Sequence, residues 1–195
     1  MKRLVLFVTV ALGLTACTGS EIVVRPDPST IDTNFRSNCG TIAIKESTAS
    51  RVYPAAGNLV PDFANALEQS GLAEKVLYPI RPDDKPDITL DVKFDVVADL
   101  NRGGNAAKSI FIGLTFFLIE PILWLDYDYS VTGQVDIIKG NARAQTLNPK
   151  AYAEMSIKWL SIDSLQNLEQ DTLTKLKSSV YKQFLTGLNI YCKTR

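Results

Sequence analysis

Two long stretches of alternating apolar and polar residues constrain the fold more than any other feature of this sequence. In residues 87–98 every second position from Ile88 to Val96 is apolar, and the positions between them are polar or charged. Residues 127–139 repeat the alternation. Successive side chains of a strand point to opposite faces of its sheet, so each stretch predicts a long strand with one buried face and one wet face. A sheet covered on one side is therefore expected.

Shorter patterns supply the other elements. The sequence predicts strands at 41–46, 74–80 and 151–160, a helix from 61 to 71, and a long amphipathic helix that begins after Ser161 or Asp163. Gly140-Asn141 is a turn signal after the second long strand, and it predicts that one partner strand follows, interrupted at Asn148-Pro149 and resuming at 151–160. The order of elements predicts an α+β fold: a mostly antiparallel sheet of about five strands, with two helices packed on one face and an apolar insertion at 110–125.

The insertion at 110–125 has 12 apolar residues out of 16, and Glu120-Pro121 interrupts it before the length that a membrane-spanning helix needs. Two interpretations remain open. The segment is a buried helix or helical hairpin broken at Pro121, or it is an exposed feature that dips into a bilayer or docks on a partner. For the second interpretation, the candidate contact residues are Phe116, Phe117 and Trp124.

Three polar motifs are better explained as structural features than as catalytic or ligand-binding sites. Residues 103–109 superficially resemble a phosphate-binding loop but lack a glycine directly before Lys108, so we predict a flexible strand-exit loop. Asp126 and Asp128 share one strand face and are expected to be surface charges rather than a hydrolase pair. The acidic residues of the turn at 83–87 lack the spacing of a calcium loop.

The composition excludes several classes of function. The chain has no histidine, which removes Ser-His and Cys-His nucleophile pairs and the commonest zinc ligand. Without residues 1–16 it has 19 basic and 21 acidic side chains, a balance that argues against a nucleic-acid partner. We expect no metal and no cofactor.

The N-terminus carries the clearest motif. Lys2 and Arg3 precede an apolar run from residue 4 to 14, and Leu14-Thr15-Ala16-Cys17 closes it. The segment resembles a bacterial lipoprotein precursor. That resemblance implies cleavage before Cys17, attachment of fatty acids such as palmitate to Cys17, and anchoring in a membrane. Thr18, in place of the aspartate that often retains such proteins at the inner membrane, implies the outer membrane, facing the periplasm. The alternative is an ordinary secretory signal, with Cys17 incidental.

The other two cysteines, Cys39 and Cys192, flank the first core strand and the last helix. In an oxidising compartment such a pair predicts a disulfide that clamps both ends of the domain, the alternative being two unrelated buried thiols. We therefore divide the chain into a lipoprotein signal peptide (1–16), a lipidated tether (17–38) and a single α+β periplasmic domain (39–195). Within the tether, the apolar run Ile22–Val24 is short but able to form an additional edge strand.

The element pattern of residues 40–160, with its early strand-helix-strand unit, is similar to domains of envelope lipoproteins such as the lipopolysaccharide-assembly lipoprotein and the N-terminal region of the curli secretion lipoprotein. We expect a non-enzymatic structural or accessory role, with a membrane bound through the lipid on Cys17 and an envelope protein as partner. One alternative is a small-ligand or lipid carrier that uses 110–125 as a lid or wall. Another is a carboxylate hydrolase acting on envelope polymers.

Overall fold

A mixed β-sheet and three helices make up the computed structural model, which describes residues 19–35, 37–47, 53–115, 123–158 and 164–194. Within this part of the chain the strands are β1 (Ser20–Arg25), β2 (Thr41–Glu46), β3 (Lys75–Leu77), β4 (Ile88–Asp99), β5 (Trp124–Lys139), β6 (Ala142–Leu147) and β7 (Lys150–Lys158). The helices are α1 (Leu59–Ser70), α2 (Arg102–Leu114) and α3 (Leu165–Lys193).

The strand order is β1-β7-β5-β4-β2-β3, with β6 beside the second half of β5. Strand β2 is parallel to both β3 and β4, and the remaining pairs are antiparallel. The α+β class is confirmed and four of the six strand pairs are antiparallel, but the sheet is mixed and has seven strands in the described residues instead of about five. Helix α1 carries the chain back across the sheet, so that β3 runs parallel to β2. The stretch predicted as one interrupted strand after Gly140 is two strands, β6 and β7, which pair with successive parts of β5.

Helices α1 and α3 cover one face of the sheet. The inward-facing residues of β4 run from Ile88 to Val96 and are at most 4% exposed, as their alternation predicts. Phe63 of α1 lies at the centre of this core, where its ring centroid is 5.9 Å from that of Phe94 and 4.8 Å from that of Phe184. The predicted packing of two helices on one face is confirmed, and α2 is a third helix that does not belong to that layer.

Residues 20–35 and 37–38 lie against the domain. Strand β1 pairs along its whole length with β7, so the edge strand anticipated within 17–38 is present. Beyond it, Ser179 Oγ of α3 donates to the carbonyl of Pro26 at 2.7 Å, and Lys182 Nζ donates to that of Pro28 at 2.8 Å. Within the described residues, the first strand therefore begins at Ser20, which is three positions after Cys17 in the sequence.

A disulfide joins Cys39 to Cys192, 153 residues apart in sequence, with a Cα–Cα distance of 5.5 Å. The predicted pairing is confirmed. Cys39 is buried and its N–H donates to the carbonyl of Leu72, while the neighbouring Ser37 donates to the side chain of Asn189 at 2.6 Å. The bond thus ties the entrance of β2 to the last turn of α3.

Helix α2 corrects the prediction for 103–109. This stretch is the first half of a helix rather than a strand-exit loop, and the helix continues to Leu114. Two consecutive glycines near its start lower the intrinsic helix propensity, which is why the sequence pattern favoured a loop. Contacts with β5, described below, stabilise the helix despite this low propensity.

None of the helices in the described ranges is both long enough and apolar enough to cross a membrane.

Candidate functional site

The predicted site residues fall partly inside the described structure. Trp124 is the first residue of β5, and Cys39 and Cys192 form the disulfide. Cys17, Phe116 and Phe117 lie outside the described residues. The site is therefore built from Trp124 and from what surrounds it at the same end of the sheet.

Asn105 fixes helix α2 at that end. Strand β4 stops at Asp99, opposite Asp128, while β5 extends further to Trp124, so the backbone of Asp126 has no β4 partner. The side-chain amide of Asn105 takes that place: its Nδ2 donates to the Asp126 carbonyl at 2.8 Å, and its Oδ1 accepts from the Asp126 N–H at 3.1 Å. Asn105 is 7% exposed, so these bonds satisfy groups that would otherwise be buried and unpaired.

One turn later, Lys108 makes a second attachment. Its Nζ donates to the carbonyl of Trp124 at 2.8 Å and forms an ion pair with Asp126. Ser156 of β7 donates to the other carboxylate oxygen of Asp126 at 2.9 Å. Partial burial alone would raise the pKa of Asp126, but the hydrogen bonds from Lys108 and Ser156 outweigh it and lower the pKa. Asp126 is thus a structural link between α2, β5 and β7, a role that the expectation of a plain surface charge did not include.

The other side of α2 is apolar and exposed. The exposed fraction is 65% for Ile110, 56% for Phe111 and 72% for Leu114, whereas Ile112 is fully buried. At 100° per residue, Ile110 and Leu114 lie opposite the side formed by Asn105, Lys108 and Ile112, and Phe111 projects sideways, about 60° from Lys108. Of the four large apolar side chains in residues 110–115, one packs inward and three point outward, so this part of the insertion is neither wholly buried nor wholly exposed. The predicted break at Pro121 lies outside the described residues.

The chain enters the fold beside Trp124. The Gly19 carbonyl accepts from the Lys158 N–H at 3.0 Å, and Lys158 Nζ lies 5.4 Å from the centroid of the Trp124 ring. A Cβ atom on Gly19 would be 3.0 Å from both the Trp124 ring and the Lys158 side chain, so the backbone passes close against them. Gly19, Trp124, Lys158 and α2 together form what we term the anchor end of the domain.

A second surface lies on the face of the sheet opposite α1 and α3, which we term the open face. A cavity of about 490 Å³ there is flanked by Val97 and Tyr152, which are 56% and 54% exposed. Asp99, Asp128 and Glu154 form a row across β4, β5 and β7 at its floor, since Asp128 is the register partner of both others. Partial desolvation and the neighbouring carboxylates of Glu154, Asp99 and Asp126 raise the pKa of Asp128.

Replacing Asp128 with asparagine should therefore stabilise the protein at pH 7, by at most about 1 kcal/mol because exposed charges are screened. A raised folded-state pKa means that the folded state holds its proton more tightly, so the repulsion is present above that pKa and disappears as the pH falls. The gain of Asp128→Asn should vanish below the ordinary value of 3.8. Urea unfolding of the wild type and of Asp128→Asn at neutral and at acid pH measures this gain in stability.

Asp95→Asn is the matched control, because Asp95 lies on the same face but pairs with Lys93 at 3.2 Å. It should give no gain at neutral pH. If Asp128→Asn is neutral or destabilising at pH 7, the carboxylates of the row do not repel one another.

A further cavity of about 560 Å³ lies between α1 and α3, where its walls include Phe35, Ala66 and Leu185. The residues lining this cavity and the cavity of the open face include none from 110–125. Within the described residues, no group of three or more His, Cys, Asp or Glu side chains is arranged to hold a metal ion.

Comparisons with known proteins give only distant likenesses. No family model matches the sequence, and no curated protein matches it. Among solved structures, a Xanthomonas campestris protein of the DUF330 family has 11% identity and a TM-score of 0.44, and the match covers 85% of this chain and 92% of that one. A Caulobacter crescentus protein with a provisional name as a lipoprotein has 11% identity, coverage of 78% and 90%, and a TM-score of 0.37. The PelC dodecamer of Paraburkholderia phytofirmans has 13% identity, coverage of 85% and 97%, and a TM-score of 0.31. At these scores the likenesses carry no argument about function.

Proposed function

We propose that this chain is a membrane-anchored lipoprotein of the bacterial cell envelope, held in the outer membrane by a lipid on Cys17 and facing the periplasm. Its role is structural or accessory: the domain docks on an envelope complex or helps to assemble it, and it performs no catalysis. Phe116, Phe117 and Trp124 remain the contact residues proposed for the insertion.

The position of the chain entry is the observation that carries this proposal. The lipid-attachment motif ends at Cys17, and strand β1 begins at Ser20 in full register with β7. Two residues separate Cys17 from the folded domain, so a lipid on Cys17 would hold the domain at the membrane surface rather than on a long flexible stalk.

The open face supports a docking role. It presents two exposed apolar side chains, Val97 and Tyr152, beside a row of three carboxylates, while the opposite face is closed by α1 and α3. Protein-binding surfaces combine apolar contacts with polar and charged ones, and the open face offers both side by side. A basic or amphipathic surface on the partner would pair with the carboxylates.

The carrier alternative, with 110–125 as lid or wall, requires that segment to close over a cavity. Residues 110–114 instead belong to a helix attached at the end of the sheet, and the two cavities described above are lined by other residues. Leu123 and Trp124 border a further, open cavity of about 410 Å³ beside Lys108 and Asp126, which residues 110–114 do not line. This geometry favours docking. Lipid that copurifies in a native mass spectrum would favour the carrier.

Photo-crosslinking in whole cells tests the docking role. A photoreactive amino acid at Tyr152 should capture one specific envelope protein, and the same amino acid at Glu68, exposed on α1 at the opposite face, should not capture it. Adducts to lipid alone at Tyr152, or the same protein adducts at both positions, would contradict docking through the open face.

A further inference from the structure

We infer that the exposed apolar face of α2, formed by Ile110, Phe111 and Leu114, lies in the interfacial layer of the membrane that holds Cys17 and fixes the orientation of the domain. This inference rests on the proposed lipid anchor and goes beyond it, because a lipid alone would leave the domain free to tilt and rotate.

The composition of the exposed surface of α2 supports the inference. The exposed positions of α2 after its first residue are Gly103, Ala106, Ala107, Ile110, Phe111, Gly113 and Leu114. None of them carries a charge, whereas the water-facing side of a helix in a globular protein is normally polar or charged. Large apolar side chains that are 56–72% exposed on an uncharged helix face indicate contact with an apolar environment.

The direction in which α2 runs along β5 also supports the inference. Asn105 pairs with Asp126, and Lys108, one turn later, reaches the Trp124 carbonyl, so α2 runs outward along the start of β5. The six residues that follow Lys108 extend the helix by about 9 Å. The apolar face therefore lies at the outer limit of the anchor end, on the same side as Gly19.

The short stretch of chain between Cys17 and Gly19 favours lipid over a protein partner as the contact of this face. Cys17 lies two residues upstream, so its Cα is within about 7 Å of the Cα of Gly19. The headgroup region of one leaflet is about 5–8 Å thick. With acyl chains of Cys17 in the bilayer, Gly19 lies at headgroup depth, and little room remains for a protein between α2 and the membrane.

The side chains next to Gly19 suit that depth. Trp124 is partly exposed and has an amphipathic ring, and the Lys158 ammonium lies over it at 5.4 Å. Tryptophan concentrates at membrane interfaces, and lysine extends its charged end towards headgroups while its stem covers apolar surface.

A site-specific fluorophore tests the inference on the full-length lipidated protein. Phe111→Cys and Leu114→Cys are each labelled with the environment-sensitive dye NBD, since Cys39 and Cys192 are joined and Cys17 is alkylated by its lipid. The proteins are reconstituted into phosphatidylethanolamine and phosphatidylglycerol vesicles with or without acyl chains that carry a nitroxide quencher. The matched control is Lys139→Cys at the far end of β5, about 50 Å along the strand from Trp124.

We expect all three proteins to float with the vesicles. Nitroxide-labelled chains should cause about a twofold loss of NBD intensity at positions 111 and 114 and no loss at 139, as for side chains inserted at the acyl boundary. Flotation without quenching at 111 and 114, or equal quenching at 139, would overturn the inference and leave the anchor intact. Failure to float would contradict the anchor itself, and the inference with it.

Discussion

Replacing both Cys39 and Cys192 with alanine should destabilise the folded domain by about 5 kcal/mol, the loop-closure value for a bond that joins residues 153 apart. The bond removes a very long loop from the unfolded state, and its loss leaves the entrance of β2 and the end of α3 to separate. The chain-entropy value is an upper figure, because measured effects often fall below it.

Urea unfolding of a Cys17→Ser chain, with and without the alanine pair, measures this loss. The Cys17→Ser background leaves no other thiol. A reductant should shift the midpoint of the disulfide-bonded chain to that of the alanine variant and should not affect the variant itself. A difference of less than about 1 kcal/mol would show that the contacts around the bond, including Ser37 with Asn189, hold the two termini without it.

Removal of the lipid attachment should have the largest effect on location. A Cys17→Ser chain, expressed behind a secretory signal that an ordinary signal peptidase removes, should lose membrane attachment by about a hundredfold or more, since each buried methylene of an acyl chain contributes about 0.8 kcal/mol. The replaced signal matters because an uncleaved apolar segment at residues 4–14 would itself hold the protein to the membrane. The apolar face of α2 alone would give only weak, reversible binding.

Fractionation of cells that express the wild type or this Cys17→Ser chain measures the effect, and Thr18→Ser is the matched control because it alters a neighbouring hydroxyl residue and keeps Cys17. The wild type and Thr18→Ser should appear in the membrane fraction and the Cys17→Ser chain in the soluble periplasmic fraction. Equal distribution of all three would show that Cys17 does not anchor the protein.

The sequence predicted the elements whose patterns are local. Alternation located β4 and β5, because one face of each packs under α1 and α3 and the other is accessible. The spacing of apolar residues located α3, but its cap is Ser164, which accepts the capping bond from Asn167, and not Ser161 or Asp163 as predicted. The disulfide was predictable from compartment and from position in the chain.

Non-local contacts account for what the sequence left open, such as β1, and for what it missed, such as α2. Strand β1 is short and precedes two prolines, so only its pairing with β7 makes it a strand. The start of α2 contains Gly103 and Gly104, and it is held as a helix against β5 by Asn105 and Lys108. Asparagine and lysine are ordinary surface residues in sequence, and nothing in their spacing indicates that one amide continues a β-ladder beyond the end of β4.

The contacts of Asn105 and Lys108 also determine which side of α2 is exposed at the anchor end. Asn105 and Lys108 use the polar side of α2 to attach the helix to the sheet, which leaves its apolar side facing outward beside the residue where the chain enters. The open face, with Val97, Tyr152 and the carboxylate row, lies on a different side of the domain. A protein anchored and oriented at one end and accessible on one sheet face is suited to docking on a complex at a membrane.

The mass of the N-terminal peptide tests the central claim most directly. The protein is purified from membranes of cells that express the natural sequence, digested, and measured by mass spectrometry. The account predicts that the first residue is Cys17 and that it carries a diacylglyceryl group and acyl chains. A mature chain that begins at another residue, or at Cys17 with a free thiol, would contradict it.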